Sequence, residues 1–231
     1  MKDLKTIISA AVVAVGLLAG GLAIGSGIRA LTYGQRTVNV RGLAERTVKA
    51  NQVIWPIQFA ITGNDLSQVY NECTQKNKIV TVFLTDNGIP ASEISVNPPD
   101  VTDMTANEWQ TQPALFKYKI VSNITVTSVH VDQVRTLLNR QGELLSQGIA
   151  FSNPNLTYNY TELNKIKPEM INEATRNARD AAQKFAENSD SKLGKIKDAE
   201  QGYFSIDNND DTTPYIKKIR VVTNVTYYLK D

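Results

Sequence analysis

Side chains able to carry chemistry are sparse in this chain of 231 residues, which holds one histidine and one cysteine. A triad or dyad built on histidine has a single candidate, His130. It has Asp132 nearby but no nucleophile at a recognisable spacing, so a surface or capping histidine is the expected role. Cys73 cannot form an internal disulfide, and a structural zinc site takes about four Cys or His ligands. The acidic run Asp207-Asn208-Asn209-Asp210-Asp211 resembles the start of a calcium loop. It has Thr212 where that loop needs Gly and Lys218 where the bidentate Glu belongs, which favours a solvated hairpin tip. Four Asn-x-Thr sequons start at Asn123, Asn155, Asn159 and Asn224. With no cluster of acid, base and nucleophile in view, the expectation is a non-enzymatic protein without metal or cofactor.

Charge narrows the partners. Lys and Arg number 25 against 23 Asp and Glu, a net +2. Lys2, Lys5 and Arg29 against Asp3 already supply that surplus, so the chain from Ala30 onward is balanced. It has no long basic run to grip a polyanion, and nucleic-acid binding is not expected.

The elements that position these residues begin with an uncharged stretch over residues 6–28. Its apolar part, 7–28, just covers a hydrocarbon core of about 30 Å at about 1.5 Å per residue. Residues 1–6 form a short flank and 29–36 a linker. A cleaved signal peptide would have a shorter apolar run and a small-x-small site, for which Ala23-Ile24-Gly25 and Ala19-Gly20-Gly21 are candidates. The apolar character continues through Ile24 and Ile28, which favours an uncleaved anchor in the bacterial inner membrane with the domain in the periplasm. Secretion to the periplasm after cleavage is the alternative. Gly16/Gly20 and Gly21/Gly25 have the spacing that lets two membrane helices approach closely.

Residues 37–231 read as one α+β domain. Val53, Trp55, Ile57, Phe59 and Ile61 alternate as a half-buried strand, with Pro56 on the other face marking an edge or bulge. Asn64 or Asp65 caps a helix running to about Asn87, ended by Gly88 and Pro90; its stripe is Leu66, Val69, Tyr70, Cys73, Val80, Phe83 and Leu84. Strands are expected near 93–103 and 115–128, the second alternating from Phe116. A shorter helix from Val131 carries Val134, Leu137, Leu138, Leu144 and Leu145, with an interruption at Gly142 and an end at Gly148. The first pattern then returns: a strand with Leu156, Tyr158 and Tyr160, a helix over about 167–188 with Met170, Ile171, Ala174, Ala178, Ala181 and Phe185, and strands near 194–206 and 215–229.

A constant offset of 101 superposes the two runs. It carries Val69 onto Met170, Cys73 onto Ala174 and Asn77 onto Ala178, and it aligns Asn123 with Asn224 and Thr125 with Thr226. Shared periodicity explains apolar matches but not these polar ones. The reading is two β-α-β-β halves, roughly 52–128 and 153–229, each with its helix on one face of a largely antiparallel sheet. Cys73 then becomes a small buried hydrophobe, and Asn77 on the apolar face needs a hydrogen-bond partner. The long connection over residues 97–114 carries Met104 and Trp109, the candidates for a partner surface, although Trp109 packing back on its own sheet accounts equally for its presence.

Val40-Arg41-Gly42-Leu43-Ala44-Glu45 resembles the opening motif of SIMPL domains. The helix with Ala174, Ala178, Ala181 and Ala182, followed by Lys192-Leu193-Gly194-Lys195-Ile196, is similar to that family's second-half signature. Gly42, Ala174, Ala178, Ala181 and Gly194 are thereby marked as structural positions. Ala50-Asn51 departs from the Pro-Asp common in the family. The resemblance implies a periplasmic or membrane-attached bacterial envelope protein, in some members linked to oxidative stress and in one to a ring-like oligomer, and it supplies no catalytic residues. The function expected is self-association or binding of an envelope protein. The alternative is a periplasmic module for a small ligand or stress signal.

Overall fold

A computed structural model describes residues 14–18, 20–22, 24, 36–106, 115–151 and 155–230. The anticipated span 7–28 and the linker lie largely outside them. Within the span, residues 14–18, 20–22 and 24 are helical, and among the described residues no helix is long and apolar enough to cross a membrane.

The chain runs β1 (Thr37–Lys49), β2 (Gln52–Gly63), α1 (Leu66–Asp86), a 3-10 turn (Ala91–Glu93), β3 (Ile94–Val96), β4 (Asp100–Asp103) and β5 (Tyr118–Ser128). There follow α2 (Val131–Leu138), α3 (Gly142–Ser146), β6 (Thr157–Asn159), α4 (Leu163–Asn188), β7 (Lys192–Gln201), β8 (Ser205–Asn208) and β9 (Ile216–Lys230). The fold is mixed α+β, with two antiparallel sheets packed with helices. One sheet has the order β3-β5-β2-β6 with β4 also on β5, and the other has β1-β9-β7 with β8 also on β9. The chain divides into two compact units, one of residues 44–171 and 203–221, the other of residues 1–43, 172–202 and 222–231.

In the larger unit, β2 and β5 pair without a slip from Val53↔Ser128 to Gly63↔Tyr118. Strict alternation puts Val53, Trp55, Ile57, Phe59 and Ile61 on one face with Ile120, Ile124 and Val126, all buried. Val69, Cys73, Val80, Phe83 and Leu84 of α1 join the same core, as do Val131, Val134 and Leu137 of α2 and Leu144 of α3. Each large side chain so enclosed contributes about 1.5–3 kcal/mol relative to exposure. Pro56 falls beyond the three residues of β2 that pair with β6, Gln52–Ile54, so its missing N–H interrupts no second ladder.

Helix ends follow local chemistry. Asp65 caps α1, its side chain accepting from the N–H of Gln68 at 2.9 Å. Gly88, at φ +84, ends α1 with Gly88 N–H on Thr85 O and Ile89 N–H on Leu84 O, the paired bonds of a Schellman turn. The same two-bond closure ends α3 at Gly148–Ile149 and α4 at Asp190–Ser191, where Asp190 takes φ 54.

Several stripe expectations need correction. Leu66, Tyr70, Leu145 and Phe185 are exposed. On α4 the buried residues are Met170, Ala174, Ala178, Ala182 and Ala186, a ridge at intervals of four, with Ala181 half-buried beside it. The helix also starts four residues earlier than expected, at Leu163, leaving Pro168 in its second turn. Strand β5 begins at Tyr118, and Phe116 lies outside it. The strand around Tyr158 is only three residues long and pairs with β2, so the offset of 101 does not carry β2 onto a strand of equal standing. The long partner of β9 is instead β1, which contains the whole Val40 to Glu45 motif, with β2 following it.

That motif shows why a glycine stands at position 42. In the smaller unit a Cβ on Gly42 would lie 1.8 Å from the Ala174 carbonyl oxygen and 2.6 Å from the Ala178 nitrogen. Val40 packs with Ala178, Ala182, Val225 and Tyr227, and Asn177 Nδ2 donates to the Leu43 carbonyl at 2.8 Å. Small residues on α4 thus let strand and helix backbones meet. Gly42→Ala should destabilise the fold by about 3 kcal/mol, read as a lowered urea midpoint with little change in slope. A loss below about 0.5 kcal/mol would show that the contact yields easily.

Candidate functional site

The polar residues singled out in the sequence do not converge. Trp109 lies outside the described residues. Met104 is half-buried just past β4, its N–H bonded to the Lys117 carbonyl at 2.7 Å. His130 precedes α2 with its Nδ1 3.4 Å from Glu93 and 3.5 Å from Ser128 Oγ; both contacts use the same ring nitrogen, and Ser128 is fully buried. Gly194 sits where the β7–β9 ladder slips, with the Tyr228 carbonyl 2.7 Å from where its Cβ would be.

Cys73 is 1 % exposed, and burial pushes its thiol pKa up, which suppresses the reactive thiolate. Asn77, one turn along α1, accepts from Ser122 Oγ at 2.6 Å, the partner its apolar position required. At the offset of 101 the corresponding pair is Ala178 and Thr223. Thr223 is buried and its Oγ1 has no hydrogen-bond partner, as also holds for Asn224 Oδ1.

The acidic loop is organised around a single carboxylate. Asp210 accepts from the N–H and hydroxyl of Thr212, from the N–H and hydroxyl of Thr213 and from Asn209. These bonds, that from the Thr213 hydroxyl foremost, hold its carboxyl far below the usual range. Both Asp210 oxygens are thereby committed to the turn. Among the described residues no three His, Cys, Asp or Glu side chains are grouped to hold a metal.

The concave feature with converging polar groups was not legible in the sequence. A groove of about 470 Å³ is lined by Asp132, Arg135, Thr136, Leu138 and Asn139 from α2 and its end, Tyr158 of β6, and Thr212, Pro214 and Tyr215 ahead of β9. The Arg135 guanidinium lies 3.5 Å from the Tyr215 ring centre. Tyr158 meets Tyr215 edge-on at 6.2 Å. Asp132 bonds Lys49 Nζ at 2.6 Å and Arg135 Nη1 at 3.5 Å, and the Lys49 bond chiefly holds its carboxyl below the ordinary range. Tyr158 is 8 % exposed, and burial raises its phenol pKa. The residue lines the groove, and among the described residues its hydroxyl has no hydrogen-bond partner. These residues come from three separated segments, and no spacing rule connects them.

Fold and site together define a mixed α+β protein with two antiparallel sheets packed with helices, in which the Val40 to Glu45 motif and the α4 alanines serve packing. The chain belongs to the SIMPL family, described as a protein of unknown function (DUF541), whose pattern matches residues 38–227. No curated protein matches the chain.

The two buried hydroxyls give a paired test. Ser122→Ala strands the Asn77 oxygen and should cost about 1–3 kcal/mol in urea unfolding. Thr223→Val removes an already unpaired hydroxyl at nearly equal volume and should be neutral or stabilising. Equal losses in both variants would contradict the assignment.

Proposed function

We propose that this SIMPL protein is a non-enzymatic component of the bacterial cell envelope whose domain associates with itself or with an envelope protein. Residues 7–28 anchor it in the inner membrane and the domain faces the periplasm, within the oxidative-stress setting that the family resemblance implies. The domain descends from two β-α-β-β halves. In support, β5 carries β3 and β4 along it as β9 carries β7 and β8. The buried positions Val69 and Cys73 likewise fall on Met170 and Ala174.

The observation that carries the association reading is an apolar surface beside Met104. Val101 on β4 is 51 % exposed, and Leu115 and Phe116, just ahead of β5, are 84 % and 40 % exposed. The Met104 to Lys117 backbone bond draws β4 and this run together. Leu115 and Phe116 are consecutive exposed apolar residues, and Val101 lies further along the same strand pair, opposite Ile120; exposed aliphatic and aromatic side chains favour a protein contact over solvent.

Light scattering of the intact chain in detergent should give a dimer or larger species, and the double change Leu115→Glu with Phe116→Glu should shift it to monomer. A strict monomer, with no partner recovered by crosslinking in cells, would sink the association reading. N-terminal sequencing of the purified protein should return Met1 if the anchor is retained.

A further inference from the structure

The groove beside α2 has features that fold maintenance does not require. A tyrosine 92 % enclosed could as well be phenylalanine if packing were its whole role, yet Tyr158 lines the groove and its hydroxyl bonds nothing among the described residues. Among the described residues the hydroxyl of Tyr215 and the side-chain amide of Asn139 likewise have no hydrogen-bond partner. Arg135 is held in place by stacking on Tyr215 and by one bond from Nη1 to Asp132, which leaves further guanidinium N–H groups to donate. Asp132 is engaged by both Lys49 and Arg135, and the Asp210 carboxylate beside the groove is turned into its own loop by five hydrogen bonds, so Arg135 is the cation that lines the groove. Leu138, Pro214 and the two tyrosine rings supply apolar walls. The volume suits a ligand of metabolite size.

We propose that this groove binds a small carboxylate carrying a planar apolar body. The carboxylate is met by the guanidinium of Arg135, whose fork suits two carboxylate oxygens, and by the hydroxyl of Tyr158. The planar body packs against the tyrosine rings. The reading is independent of the association surface, which uses β4 and the run ahead of β5.

Benzoate is the smallest member of the class, with benzamide as its uncharged isostere. Saturation-transfer NMR and calorimetry on the intact chain in detergent should show saturable benzoate binding with Kd in about the millimolar range. Arg135→Lys should weaken binding about tenfold by losing the fork, and Tyr158→Phe by about the same factor with the ring's packing kept. Benzamide should bind at least about tenfold more weakly than benzoate. Unchanged melting of both variants would separate loss of the site from loss of the fold. No saturable benzoate binding below about 20 mM, equal binding of benzamide, or unchanged affinity in either variant overturns the proposal.

Discussion

An antiparallel sheet with helices on one side only must bury one face and leave the other in water, and that one-sidedness governs nearly every residue choice in this chain. Along β2 it sets a period of two that never breaks across five apolar residues, and along β5 it makes Ile120, Ser122, Ile124, Val126 and Ser128 the inner face. The helix laid on such a face must offer either large side chains to fill the space or small ones to close it. Helix α1 takes the first course, with Val80, Phe83 and Leu84. Helix α4 takes the second, with four alanines at intervals of four and Gly42 meeting its backbone.

The outer faces solve the complementary problem with polar side chains bonded to each other. Gln58 donates to Asn123, which in turn donates to Asp100, and Asn97 donates to Thr125. On the second sheet Asn39 donates to Thr226. Each of these is a modest contribution in water, of about 0.5–1.5 kcal/mol at most. Their larger effect is to fix which face is which, because a slip of one residue would bury them all.

Strand and helix positions were largely readable from the sequence because a period of two and a set of caps are local properties. Asp65, Gly88 and Gly148 mark their helix ends through backbone chemistry that needs no tertiary context. Burial on the helices was less readable. Tyr70, Leu145 and Phe185 satisfy a helical apolar period yet face water, since periodicity gives the width of a stripe and not the narrower ridge a sheet accepts. The groove was not readable at all. Its members sit on α2, on a three-residue strand and on the turn before β9, and only the fold brings them together.

The edges of the second sheet have a bearing on how the protein fails. Strand β7 lies at a sheet edge, is exposed along seven consecutive residues, and slips register twice against β9. Lys192, Lys195 and Lys197 line it. A regular, uncharged edge of this length would template the stacking of further chains into cross-β fibrils. Interrupted pairing and repelling ammonium groups deny an incoming strand the continuous ladder that such growth needs, so the open sheet can remain in water without recruiting misfolded copies of itself.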